Sequence, residues 1–198
     1  MKAAYFHCTK GQQTWNLLRK NGRAVGRIGQ GTWYLGENTA TAARERKALQ
    51  AGVEAGMNLI DTAEMYGEGA SEHLIGSAIR GMDRASLYLV SKVYPFHADR
   101  RSIFLSCENS LRRLGTDYLD LYLLHWRGAV PLAETVECME ELKAKGRIRA
   151  WGVSNFDALD MDELMEVTGG SRCATDQVLY HLAAGAWNLI CCLDAKHG

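Results

Sequence analysis

The sequence has no excess of charge of either sign: 23 lysines and arginines stand against 23 aspartates and glutamates in 198 residues. Such a balance provides no bulk field to recruit nucleic acid or an anionic membrane surface. No stretch approaches the ~20 apolar residues that a bilayer-spanning helix needs, and the opening MKAAYFHCTKGQQTW lacks the apolar core of a signal peptide. A cytoplasmic protein with neither nucleic acid nor membrane among its partners is therefore expected. The six cysteines (Cys8, Cys107, Cys138, Cys173, Cys191 and Cys192) contain no C-x-x-C pair, and two of them are adjacent. That pattern argues against a zinc site and against a disulfide framework, so the thiols read as reduced core or surface residues and no metal is expected. A dinucleotide-binding G-x-G-x-x-G is missing as well. In Gly29-Gln30-Gly31-Thr32-Trp33-Tyr34 a tyrosine stands at the third glycine, and no helical pattern follows directly.

What is present is an ordinary globular composition, 47% hydrophobic and 23% charged, of a length that suits one domain over residues 1–198. Short apolar runs alternate with amphipathic stretches. Strands are expected at Arg27 to Trp33, Met57 to Asp61, Leu87 to Lys92, Tyr118 to His125, Ile148 to Ser154 and Ala174 to Tyr180. Between them, Ile103, Cys107, Ser110, Leu111 and Leu114 fall on one helix face, as do Leu132, Val136, Met139 and Leu142 after Pro131. Asp160 followed by Glu163 predicts a capping-box start for another helix, and Gly56 and Gly146 mark helix ends. The strand starts recur about every 30 residues, the period of one βα unit in a barrel of eight units and about 250 residues. This favours a (β/α)8 barrel of the TIM type over a doubly wound sheet. The length gives room for about six units, and LLRKNGRAVGRIG, with an Asn21-Gly22 turn, predicts a β-hairpin ahead of them, placed to cover the bottom of the barrel.

The stretch LIDTAEMYGEG, residues 59–69, starts as a buried strand and turns abruptly polar. In a βα barrel the C-terminal ends of the strands share one face, and reacting groups come from several strands. The second run ends at Asp61, the third at Lys92, the fourth at His125 and the fifth at Ser154 and Asn155, while the sixth carries Gln177. A lone histidine after Leu123-Leu124 is ordinarily a core residue; what singles out His125 is its company. Tyr66 can return to the same mouth as a hydroxyl donor. Its phenol, with an ordinary pKa near ~10, is a weak acid at neutral pH. Lys92 is the cation available to lower that value, with Asp61 to hold the lysine and His125 to orient a carbonyl oxygen. Proton donation to a carbonyl as hydride reaches its carbon fits this set. No side chain supplies hydride, so a nicotinamide cofactor is implied, with Ser154, Asn155 and Gln177 suited to its carboxamide.

The segments GTWYLGE, NLIDTAEMYGEGASEHLIG, LVSKVYP, SLRRLGTDYLDLYLLHW, ELKAKGRIRAWGVSNF and DQVLYHL resemble, in order, the signatures of the aldo-keto reductase family, especially its bacterial members related to methylglyoxal reductases. The resemblance implies that Asp61, Tyr66, Lys92 and His125 form a catalytic tetrad, with Tyr66 the general acid in reduction. It implies that Gly31, Thr32, Asp61, Ser154, Asn155 and Gln177 line the nicotinamide end of NADP(H), and that Trp33, Tyr94 and Trp126 wall the pocket for a small aldehyde or ketone. Trp33 and Trp126 read equally well as rim packing. Glu64 receives no catalytic role, His73 is expected at the surface, and His97 has nothing but its position to recommend it.

After DQVLYHL the family continues with a helix and two further strands, whereas here AAGAWNLICCLDAKHG follows. The expectation is a barrel lacking strands seven and eight, truncated at its C-terminus. Three functional readings stand at this point: an NADPH-dependent carbonyl reductase, a truncated inactive fragment, and a non-catalytic nicotinamide-binding subunit.

Overall fold

The computed structural model describes residues 17–20 and 23–179. The chain enters through an antiparallel hairpin, β1 (Leu17–Lys20) and β2 (Arg23–Gly26), in which Lys20 pairs with Arg23. The Asn21-Gly22 turn predicted between them lies outside the described residues, as does the sequence from Tyr180 onward.

Strand and helix then alternate: β3 (Gln30–Gly31), α1 (Ala42–Glu54), β4 (Leu59–Asp61), α2 (Ala70–Ala78), β5 (Tyr88–Val93), α3 (Ile103–Leu114), β6 (Leu121–Leu124), α4 (Leu132–Ala144), β7 (Trp151–Ser154), α5 (Ala158–Glu166) and β8 (Asp176–Gln177). The strands are parallel and pair in chain order from β3 to β8. A doubly wound sheet would reverse its order at a switch point; this one never does, and the winding is that of a barrel.

Residue alternation along the strands sorts side chains into two compartments. Leu59, Tyr88, Val90, Leu121, Leu123 and Ala150 point to the concave side, where Val25 of β2 packs against them. Ile60, Leu89, Val93, Tyr122, Leu124, Trp151 and Val153 point outward and pack against the helices through Leu74, Ile75, Ile103, Cys107, Leu111, Val136 and Met139. The predicted faces of α3 and α4 are the buried ones. Gly56 and Gly146 follow α1 and α4 with φ of 89° and 71°, left-handed positions that only glycine adopts cheaply. No helix among the described residues is long and apolar enough to cross a membrane.

Two expectations need correction. The strands are shorter than the apolar runs: Arg27 to Trp33 yields only Gln30–Gly31, and Ala174 to Tyr180 yields Asp176–Gln177. The residues flanking these two short strands do not join the ladder, and Ile28, Trp33 and Leu179 are exposed: apolar character there does not mark sheet pairing. The capping box of α5 begins at Asp157, not Asp160: the Asp157 carboxylate accepts from Asp160 N at 2.9 Å and Asp160 Oδ2 accepts from Asp157 N at 3.2 Å. Asp160 is thus the reciprocal partner, a role that its short side chain fills in place of the usual glutamate.

At the N-terminal ends of the strands, Arg84 donates to Thr116 Oγ1, to the carbonyls of Leu87 and Tyr118, and to Asp120 Oδ2 at 2.7 Å. The Tyr118 ring lies between two guanidiniums, Arg84 at 3.9 Å and Arg149 at 4.1 Å. Asp120 Oδ2 also accepts from Leu89 N at 3.0 Å. This end of the sheet is cross-linked by charge and stacking, away from the mouth.

On β8, burial pushes the Asp176 carboxyl up to about 7, with the Asp160 carboxylate acting in the same direction and the Phe156 N–H offsetting part of it. The folded chain therefore holds this proton more tightly than the unfolded chain does. Its stabilising contribution is full at acid pH and is lost as pH rises from ~4 through ~7. Asp176→Asn is expected to raise the thermal midpoint at about pH 8 and to change it much less at about pH 5, as followed by circular dichroism.

Candidate active site

The alternation that buries Leu59, Val90 and Leu123 on the concave side carries two residues further along each strand to Asp61, Lys92 and His125. Strand parity alone thus delivers three of the expected groups to one mouth, and Ser154 and Gln177 share it on β7 and β8. Asp61 lies opposite Val90, one pleat short of Lys92, and the length of the lysine stem closes that step.

Lys92 is 2% exposed and Asp61 5% exposed, so both charges are withdrawn from water. The Lys92 ammonium spends its three protons on Asp61 Oδ1 at 2.8 Å, the Thr62 carbonyl at 2.9 Å and Tyr66 Oη at 3.3 Å. Asp61 Oδ1 also accepts from Gln177 Nε2 at 3.2 Å. The ring of His125 meets that of Tyr66 edge-on at 5.7 Å.

Tyr66 reaches this point at the start of a left-handed turn. Gly67, Glu68 and Gly69 follow it with φ of 55°, 52° and 91°, three left-handed residues in succession. The turn then feeds directly into α2. A chain of buried hydroxyls fastens the surroundings: Ser71 Oγ donates to Thr32 Oγ1 at 2.7 Å and lies 3.1 Å from Thr62 Oγ1, and Thr32 Oγ1 donates to the Asp61 carbonyl at 2.9 Å.

The electrostatics differ from the sequence expectation in one respect. Lys92 does pull the Tyr66 phenol toward ionisation, but burial is the larger effect and Asp61 opposes the lysine, so the phenol lies above its ordinary value. Tyr66 therefore keeps its proton at neutral pH. Burial, reinforced by Lys92, drives His125 down to about 3, and the imidazole is neutral. His125 Nδ1 has no hydrogen-bond partner among the described residues.

Of the residues expected at a nicotinamide, Ser154 Oγ donates to the Gln177 carbonyl at 2.9 Å, and Asn155 Nδ2 donates to the His125 carbonyl at 3.1 Å. Asn155 is exposed and has φ of 57°, a backbone setting asparagine tolerates better than most. A methyl group on Gly31 would meet nothing within 4 Å among the described residues, which leave the end of β3 open. Thr32 is fully buried, and its hydroxyl serves the Asp61 carbonyl.

The aromatic wall is larger than the sequence reading. Trp33 stacks on Tyr66 with ring centroids 6.1 Å apart, and on Tyr34 at 4.9 Å. Trp126 lies 4.9 Å from His125 and 5.2 Å from Tyr94, which in turn stacks on Phe96. Tyr34 and Phe96 were not singled out; the only signal for them is adjacency to Trp33 and Tyr94. Glu64 is a scaffold: Oε1 accepts from Tyr94 N at 2.7 Å and lies 3.1 Å from His97 Nδ1. His73 is exposed, as expected.

A buried ion pair broken on one side leaves an uncompensated charge, at a cost of about 3–5 kcal/mol. Lys92→Met is expected to destabilise the chain by about that amount, and Asp61→Asn with Lys92→Met to recover most of it, as read from urea midpoints.

A family model described as the aldo/keto reductase family matches residues 27–190. The chain is 55% identical over 157 residues to methylglyoxal reductase YeaE of Escherichia coli, a match covering 79% of this chain and 55% of that protein. It is 39% identical over 163 residues to aldo-keto reductase YhdN of Bacillus subtilis, covering 76% of this chain and 49% of that one. Among solved structures, an aldo-keto reductase from Klebsiella pneumoniae in complex with NADPH superposes with a TM-score of 0.88 at 51% identity, covering 93% of this chain and 65% of that one. An aldo/keto reductase from the same organism, in complex with NADP and acetate, gives 0.86 at 52% identity, covering 91% of this chain and 64% of that one. The chain thus spans about half the length of these sequence relatives and just under two thirds of these structures.

Proposed function

This chain belongs to the aldo/keto reductase family, and from that premise we propose that it reduces small aldehydes and ketones to alcohols with NADPH, Tyr66 donating the proton. The observation that carries this reading is the Lys92 ammonium bonded at once to Asp61 Oδ1 and Tyr66 Oη. Because the phenol oxygen accepts from Lys92, its own proton is left for a third partner, and a carbonyl oxygen at the mouth is a suitable one.

Each group then has a task. Asp61 keeps Lys92 charged and fixed. Lys92 stabilises the phenolate that forms as the proton leaves Tyr66. His125, neutral and beside the phenol, orients the carbonyl oxygen without competing for the proton. Run in reverse, Tyr66 is the base that receives an alcohol proton.

The cofactor fits the residues present. Ser154, Asn155 and Gln177 stand at adjacent strand ends with the donors and acceptors that a carboxamide requires, and the open face at Gly31 leaves room beside them. The nicotinamide supplies the hydride that the side chains lack. Trp33, Tyr34, Tyr94 and Trp126 give the carbonyl compound an apolar, aromatic wall. Methylglyoxal enters as a candidate substrate through the name of the Escherichia coli relative. The setting in this reading is the cytoplasm, where thiols such as the buried Cys107 and Cys138 stay reduced.

The test is NADPH oxidation by the purified chain with methylglyoxal. Turnover is expected, and Tyr66→Phe is expected to lower kcat by at least about 100-fold while leaving NADPH affinity unchanged. With His125 titrating near 3, its ionisation adds no limb to the rate profile between about pH 5 and pH 8. A thermal midpoint that rises with NADPH, in a chain that reduces no carbonyl, would overturn the reductase in favour of a nicotinamide-binding subunit.

A further inference from the structure

Behind the mouth, on the helix side of β5, lies a charge cluster that the reaction does not use. Glu72, in the first turn of α2, is fully buried. Its Oε1 accepts from Ser91 Oγ at 2.6 Å, and its Oε2 accepts from Arg113 Nε, also at 2.6 Å. Arg113, in the last turn of α3, further donates from Nη2 to Ser110 Oγ at 3.3 Å.

Each arm of this cluster ends directly behind one half of the proton-transfer pair. Ser91 is the residue before Lys92, facing outward where Lys92 faces inward. Its bond to Glu72 holds β5 against α2 at the level of the ammonium. Arg113 packs into the space left empty at Gly69: a Cβ there would stand 2.6 Å from its Cδ and Nε. Gly69 is the last of the three left-handed residues that follow Tyr66. The guanidinium stem therefore buttresses the turn from which the phenol projects, while its Nε is anchored to Glu72.

We propose that Glu72 and Arg113 are positioning residues that fix the separation between Lys92 Nζ and Tyr66 Oη, by tying the Tyr66 turn and the strand bearing Lys92 to one buried carboxylate. Glu72 is fully buried and Arg113 largely so, and such an ion pair seldom contributes net stability, because desolvation of the charges offsets their attraction. Its usefulness here is geometric. The Lys92 to Tyr66 contact, at 3.3 Å, is the longest of the three that the ammonium makes, and it is the one that has no covalent neighbour on β4 to hold it. This inference rests on the reductase reading of the Tyr66–Lys92 pair, but it concerns the pair's geometry and can be tested without turnover.

The charged groups facing the phenol are Lys92 and Asp61, with His125 neutral beside it. Ionisation of Tyr66 thus reports the lysine's distance. The measurement is an ultraviolet titration of tyrosinate absorbance, each protein read as its difference from the same protein carrying Tyr66→Phe. The double variant Glu72→Gln with Arg113→Met removes both charges of the pair together and leaves neither unpaired. In it the Tyr66 midpoint is expected to rise by about one pH unit as the influence of Lys92 weakens. Arg113→Lys, which keeps a cation beside Glu72, is expected to leave the midpoint close to that of the parent chain.

A cooperatively folding double variant whose Tyr66 titrates as in the parent chain would overturn the proposal. Should that variant lose cooperative unfolding, Ser91→Ala reads the same midpoint in a chain missing a single hydroxyl, and an unmoved midpoint there has the same force. Where the parent turns over methylglyoxal, kcat should fall in parallel with the shift while NADPH affinity holds. A parent chain that reduces nothing leaves the titration intact, so failure of the reductase reading and failure of this one are told apart.

Discussion

One ammonium organises the site. Lys92 is buried, and a buried lysine keeps its charge only if its protons are taken by good acceptors. The chain supplies three, from two different pieces of structure: the Asp61 carboxylate and the Thr62 carbonyl at the end of β4, and the Tyr66 oxygen on the turn beyond. Satisfying this one cation draws the end of one strand, the middle of the next and a glycine-rich turn into a single arrangement. The hydroxyl chain through Thr32, Thr62 and Ser71 then secures the same strand ends from the other side.

The barrel makes this affordable by separating duties along each strand. Inward positions near the strand starts carry Leu59, Tyr88, Val90 and Leu121 and form a packed interior; the next inward positions carry the polar groups. At the far end Arg84, Tyr118, Arg149 and Asp120 cross-link the strand starts. Cohesion and chemistry thus occupy opposite ends of the same sheet, as this architecture commonly arranges them.

Much of this was legible beforehand, for physical reasons. Asp61, Lys92 and His125 each end an apolar run, and apolar runs ending in titratable groups are visible without coordinates. The faces of α3 and α4 were readable from their period, and Gly56 and Gly146 from the need for a left-handed residue at a helix end. What was not legible involves comparison of opposing magnitudes or side chains distant in sequence. The presence of Lys92 beside Tyr66 suggested a lowered phenol pKa, but only the depth of burial shows that desolvation outweighs it. Asp157 displaced Asp160 as the cap because either aspartate can start a helix, and neighbouring geometry decides between them. The bond from Glu72 to Arg113 joins residues on different helices, neither of which carries a motif that announces the other.

Gly69 is more than a flexible point in a turn. The volume its missing side chain would fill is already taken by the stem of Arg113, so the Tyr66 turn and α3 share one steric locus. A side chain gained at 69 must be met by volume lost at 113, and a guanidinium lost at 113 opens a void that glycine cannot fill. Position 69 is held to glycine twice over, by its left-handed φ of 91° and by the guanidinium stem that already fills the space beside it.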